Sequence, residues 1–264
     1  MRFLSTPRTA LCVLAVVVLA TSGLMANTLA YASLGNADFG TVDLSTGAFT
    51  SLGFTSGALV GMTEANGTLY GSSWTGVLYT INPANGSETV VGSNSVSLDD
   101  FGATTTGMYA VAFGQNYYGD LYSINRTTGA ATLIGPTGVW LGGWSGLSNN
   151  SSALYFAAGT NLYTLNVSTG AATLVGSLGS QAQEQSVLLM DGGTLYGSQI
   201  GPVAIDTIDP ATGAATVGPT VVPSANGAIF GLVPYPLPSN ATPEPGTLVM
   251  FGSGLLGLVG IARR

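Results

Sequence analysis

The chain has 264 residues, of which 5 are basic and 12 acidic, so only 6% are charged, against about 25% in an ordinary soluble domain. It has no histidine, no lysine and one cysteine, which excludes a histidine-based acid–base pair, a Cys/His zinc site, a P-loop and a Schiff-base lysine. A net charge of −7 argues against a nucleic-acid partner, and the abundance of aliphatic residues argues against disorder.

The first element is an address. Arg2 and Arg8 precede an apolar run over residues 10–20, the layout of a secretory signal peptide. Eleven helical residues reach about 16 Å, too short for a hydrocarbon core of about 30 Å. Cleavage is expected between Ala26 and Asn27, giving a signal peptide over 1–26. A competing site follows Ala32, in Ala30-Tyr31-Ala32, but it would cut through an expected strand at 29–33. Cys12 leaves with the peptide, so the mature chain has no disulfide and its stability rests on packing.

From 27 to 235 the chain repeats with a period of about 42 residues. The segments FGTVDLSTGAFTSLG from Phe39, LYTINPANGSETVVG from Leu78, LYSINRTTGAATLIG from Leu121, LYTLNVSTGAATLVG from Leu162 and IDTIDPATGAATVG from Ile205 align with one another. Their turn glycines, Gly47, Gly86, Gly129, Gly170 and Gly213, lie 39, 43, 41 and 43 residues apart. That period is too long for one β-helix coil and fits a four-stranded propeller blade.

Each segment predicts a hairpin. Asp43, Asn82, Asn125, Asn166 and Asp209 open the turns, where an Asx side chain accepts a bond from the N–H two residues on. Pro83 and Pro210 follow where a type I turn favours proline, and the glycine supplies positive φ. Upstream of each hairpin a second strand pair is expected, first at 57–65 and 68–74, joined by the hairpin signal Asn66-Gly67. Most strands read apolar on both faces, as in sheets packed between sheets. Gly57, Gly61, Gly102, Gly142, Gly143 and Gly146 cluster in the expected first strands, where backbones crowd toward an axis.

The first unit lacks its first strand, while an orphan segment at 227–233 has that character. The expected fold is therefore all-β: a five-bladed β-propeller closed by a blade shared between the N- and C-terminal ends, hiding its edges. An open solenoid or sandwich is the alternative. No Trp-Asp pair or kelch Gly-Gly motif is present, so the fold by itself assigns no activity.

Loops expected on one face gather Trp74, Asp99, Asp100, Gln115, Asn116, Tyr117, Tyr118, Trp140, Trp144 and Glu184. Aromatic rings beside amides and carboxylates suit sugar rings, which makes Trp74, Tyr117, Tyr118, Trp140 and Trp144 candidate glycan-binding residues. Burial beneath loops is the competing reading of those rings. Asp99, Asp100 and Glu184 could supply the carboxylate pair of a glycosidase or lyase, although adjacent loop aspartates are usually solvated charges. No catalytic residue, metal site or cofactor is expected.

The last element follows a linker at 236–242. Pro243-Glu244-Pro245 heads an uncharged stretch at 247–262, about 24 Å long as a helix, and Arg263-Arg264 end the chain. Basic residues favour the cytoplasmic side, so the body would lie outside. In order, spacing and position these residues resemble the bacterial PEP-CTERM sorting signal. The resemblance implies recognition of Pro243, Glu244, Pro245, Arg263 and Arg264 by an exosortase-type membrane processing enzyme, in bacteria that make exopolysaccharide. A transmembrane helix over 247–262 would tether the protein to the inner membrane before processing, the membrane being met only there. The expectation is thus an exported, non-enzymatic structural or adhesive protein of the cell surface or extracellular matrix (biofilm). A carbohydrate-binding module for exopolysaccharide is the alternative, and a propeller glycosidase or lyase the third reading.

Overall fold

The computed structural model describes residues 28–93, 96–149, 152–180, 184–201, 203–222 and 228–237. The expected signal peptide with its Ala26/Asn27 cleavage site, the 247–262 helix, the Pro243-Glu244-Pro245 motif and Arg263-Arg264 lie outside the described residues. Among the described residues no helix is long and apolar enough to cross a membrane.

Strands β1 (Leu29–Leu34), β2 (Asp38–Asp43) and β3 (Phe49–Phe54) form an antiparallel meander, followed by β4 (Leu59–Ala65), β5 (Thr68–Ser73), β6 (Val77–Ile81) and β7 (Glu88–Ser93). The next comprises β8 (Leu98–Ala103), β9 (Met108–Phe113), β10 (Tyr118–Ile124) and β11 (Ala131–Trp140). Then come β12 (Ser145–Asn149), β13 (Leu154–Ala158), β14 (Asn161–Leu165) and β15 (Ala172–Ser177), and after them β16 (Gln185–Asp191), β17 (Thr194–Gln199), β18 (Ile205–Ile208) and β19 (Ala215–Thr216). Finally β20 (Ile229–Pro234) returns to pair antiparallel with β1, Ala32 opposite Leu232, so the first sheet runs β20-β1-β2-β3. The fold is all-β and propeller-like.

Local chemistry fixes the hairpins. Asn125 Oδ1 accepts the N–H of Thr127 at 2.9 Å and Asn166 Oδ1 that of Ser168 at 2.9 Å. The same bond forms at Asp43, Asn82 and Asp209. Each turn closes on a glycine at positive φ, from 72° at Gly129 to 85° at Gly170, a region costly for residues with a Cβ. The Asn66-Gly67 hairpin has φ of 53° and 75°, the two positive values that suit strand twist.

Strands β20, β4, β8, β12 and β16 pack one on the next, and β16 packs on β20. Five hydrophobic clusters lie between neighbouring meanders. Phe39, Leu59 and Met62 belong to one, Val60, Leu98 and Phe101 to another, and Leu147 and Phe156 join Val111 in a third. Leu162 meets Leu188, and Val187 meets Ala30 and Val42. The inner strands of each sheet are thus apolar on both faces, since each of their faces is covered by a neighbour.

Polar groups bond across the inner strands. Asn149 Nδ2 on β12 donates to Met62 O on β4 at 2.7 Å and to Leu232 O on β20 at 3.0 Å. Ser186 Oγ on β16 donates to Ile229 O on β20 at 2.5 Å.

Three expectations change. First, β12 and β16 pair in parallel, Ser148 with Leu188, and merge two meanders into one eight-stranded sheet. Gly146 permits this, for a Cβ there would sit 2.9 Å from the Val187 nitrogen. Second, the outermost strands are not apolar on both faces: Val90, Leu133 and Leu174 on β7, β11 and β15 are more than half exposed, because no further strand covers them. Third, of the six inner glycines only Gly61, Gly102 and Gly146 touch a neighbouring inner strand. Gly57 has open space around its missing Cβ, while Gly142 and Gly143 precede β12 and lie against Trp140 and Glu184.

Candidate functional site

The site begins where the repeat is broken. β11 has 10 residues, whereas β3, β7 and β15 have 6 each. Its extension carries Trp140 up to pair with Tyr118 at the start of β10. The facing β9–β10 connection holds a short 3-10 turn at Gln115–Tyr117, and Leu141 N–H donates to Tyr117 O at 2.7 Å. Asn116 and Tyr117 have φ of 56° and 65°, a region sparsely populated by residues with side chains. Such strain clusters at functional sites. It lifts Tyr117 to 68% exposure, where its ring meets that of Phe113 edge-on, centroids 6.2 Å apart.

Trp140 is 60% exposed and its ring lies over Gly142. A Cβ on Gly142 would fall 1.6 Å from Trp140 Cη2 and Cζ3, so only glycine permits this ring position. On one side of Trp140 is a groove of about 610 Å³ whose lining includes Tyr118, Asn161, Tyr163 and Glu184. On the other is a hollow of about 330 Å³ bounded by Phe113 and Tyr117. Trp140, Gly142 and Gly143 belong to both. Volumes of a few hundred Å³ and above are those of ligand sites.

The other two tryptophans form a separate cluster. Trp74, in the β5–β6 turn, and Trp144, just before β12, meet edge-on at 6.3 Å. Both pack on Phe230 of β20, at 6.0 and 5.3 Å. Packing on Phe230 holds this pair in place, while Trp74 and Trp144 remain 37% and 39% exposed. The three tryptophans divide into a cluster of two and an open ring at Trp140.

The carboxylates diverge as well. The β8–β9 register shifts between Leu98 and Asp100, a bulge that leaves Asp99 unpaired and re-aims the side chains there. Asp99 accepts the Ser145 hydroxyl at 2.7 Å, and burial raises its pKa. Asp100 is fully buried, its Oδ1 accepting the Phe101 N–H at 2.6 Å, and burial holds its pKa well above the ordinary carboxylate range. Neither is a solvated loop charge, which corrects that expectation. Glu184 Oε2 accepts the Trp144 N–H at 3.0 Å, and the carboxylate lies against Gly143 in the groove. Gln115 and Asn116 are exposed beside Tyr117.

Sequence reasoning missed Phe113, Asn161 and Tyr163, whose places in the repeat mark them as ordinary strand residues. It also missed a buried carboxylate at Asp206, which accepts from Gln185 Nε2 at 3.0 Å and from Gln199 Nε2 at 2.7 Å. Burial raises its pKa and these bonds partly offset that. Among the described residues no group of three or more His, Cys, Asp or Glu could hold a metal ion.

No curated protein matches the chain. Among solved structures it resembles a chain of a nidogen/laminin complex, 11% identical with TM-score 0.51, covering 78% of this chain and 97% of that one. A protein described as the calcium-binding protein regucalcin from Agrobacterium tumefaciens is 15% identical, TM-score 0.47, with 77% and 74% covered. A protein of unknown function from Bacteroides thetaiotaomicron is 18% identical, TM-score 0.44, with 72% and 49% covered. These likenesses concern the fold alone. At the C-terminus, residues 241–264 match the model of the PEP-CTERM protein-sorting motif. The chain thus carries a PEP-CTERM sorting motif, which implies recognition by an exosortase, behind an all-β body whose structural neighbours are propeller-like.

Proposed function

We propose that the protein is an exported, non-enzymatic adhesive component of the cell surface or extracellular matrix, a closed five-bladed β-propeller that holds polysaccharide on its Trp140 face. The sorting motif implies export and transient membrane anchoring before processing. Closure is supported by the pairing of β20 with β1 and the packing of β16 on β20. Signal cleavage after Ala26 leaves β1 whole, whereas cleavage after Ala32 would remove buried Ala30 and Ala32 from between β2 and β20.

One observation carries the binding reading: Tyr117 and Trp140 stand exposed on a strained extension that departs from the repeat, beside a groove lined by further rings and hydroxyls. Polyanionic glycans fit poorly, since Arg126 is the only basic residue within the described ranges. Binding rather than catalysis is favoured because Asp100 is sealed from solvent and Asp99 is held by Ser145. The test is retention of the protein on insoluble neutral polysaccharides. Trp140→Ala and Tyr117→Ala are expected to cut retention at least tenfold with unchanged Tm, and undiminished retention would refute the site.

A further inference from the structure

Among the described residues, the groove beside Trp140 contains one charged side chain, Glu184. Its carboxylate is held in place by the Trp144 N–H at 3.0 Å and by contact with Gly143. Around the same space stand the rings of Tyr118, Trp140 and Tyr163. A neutral sugar could only donate a hydroxyl to that carboxylate, and a uronic acid would be repelled by it. An ammonium group uses both parts of the lining, pairing with the carboxylate while a ring face attracts it by cation–π interaction within about 6 Å. The wider field has the same sign: eleven of the twelve acidic residues, all but Glu184's distant counterpart Glu244, lie within the described ranges, opposed there by Arg126 alone. Negative surfaces concentrate cationic ligands and speed their arrival.

We infer that the Trp140 groove takes a polysaccharide bearing free amino groups, a partly N-deacetylated hexosamine polymer, with an ammonium group set at Glu184. This rests on the glycan-binding reading and narrows its ligand class. The hollow between Phe113, Tyr117 and Trp140 carries no charged residue in its lining and suits an adjacent acetylated or neutral unit, so the chain would cross Trp140 from one space to the other.

The experiment titrates the full-length protein with glucosamine hexamer and with N-acetylglucosamine hexamer, following tryptophan fluorescence at pH 5.5 and at pH 9. At pH 5.5 the amino hexamer is expected to bind at least tenfold more tightly than the acetylated one. That preference should vanish at pH 9, where the amine is neutral, fall in high salt, and disappear in Glu184→Gln. Trp140→Ala should weaken both oligomers. Equal binding of the two by the wild type would overturn the amine preference and leave the glycan reading standing. A preference that survives in Glu184→Gln would place the charge recognition elsewhere and refute the assignment to this groove. No binding of either oligomer, or none weakened by Trp140→Ala, would remove both readings. Competition by spermine as strong as that by the amino hexamer would show a site for cations and not for sugars. Thermal unfolding of each variant separates these results from misfolding.

Discussion

At the scale of single residues, strain and burial are placed where the repeat is broken. Tyr117 occupies a left-handed conformation that costs a residue with a Cβ about 1–2 kcal/mol. Its ring is largely exposed and buries little in return. Tyr117→Gly is therefore expected to leave stability unchanged, or raise it by up to about 1 kcal/mol, while glycan retention falls. Denaturant titration set beside a retention assay checks this, and a marked loss of stability would show that the ring is structural. Asp100 makes a second test. Burial keeps its proton bound in the folded state, whereas the unfolded chain releases it at about pH 3.9. The folded state then holds more protons, so stability falls as pH rises from about 4 through the elevated folded value. Asp100→Asn should gain Tm at pH 8 and gain less at pH 4. Asp99 and Asp206, also raised by burial, will keep part of the slope. Parallel Tm–pH curves for the two proteins would refute this account.

At the scale of elements, a glycine in each of the outer strands β3, β7, β11 and β15 meets the turn of the next unit. A Cβ on Gly92 would lie 2.0 Å from Thr128 O, and one on Gly176 2.0 Å from Thr212 O. Backbone cannot yield as a flexible side chain does, so Gly92→Ala and Gly176→Ala should each cost about 1–3 kcal/mol in urea unfolding. Gly57→Ala, with open space around it, serves as the control and should be neutral. The hairpins were legible in the sequence because an Asx residue and a glycine four positions apart act through bonds within one turn. The extension of β11 was not, because Pro136 and Gly138 recur as Pro219 and Gly179 in repeats whose outer strands stay short, and Trp140 alone has no counterpart against which to read it. Trp74 and Trp144 carried an ambiguous signal: tryptophan beside a loop is equally compatible with a sugar platform and with packing, and Phe230, distant in sequence, packs against both rings while leaving them 37% and 39% exposed.

At the scale of the whole molecule, each sheet depends on two neighbours for the cover of its faces, and β20 supplies the first sheet from the far end of the chain. Units that bury nothing alone unfold together. Heating followed by tryptophan fluorescence and by circular dichroism should give coincident transitions. Removing β20 would expose the edge of β1 and the Val187–Ala30–Ile229 cluster, so truncation before Ile229 is expected to lower Tm by more than about 10 °C and promote aggregation. A truncated chain that melts like the parent would refute the role of that pairing.

The sequence alone determined the period, the turns, the pairing partner of the orphan strand and the C-terminal sorting motif. All of these rest on local chemistry, or on patterns that repeat and can be compared with themselves. Tertiary structure decided which aromatic rings stay open, which aspartates lose their water, and where two sheets fuse. Those outcomes depend on residues far apart in the chain, Trp74 with Phe230 or Gly146 with Val187, whose meeting is set by how the sheets stack and cannot be read from either position alone.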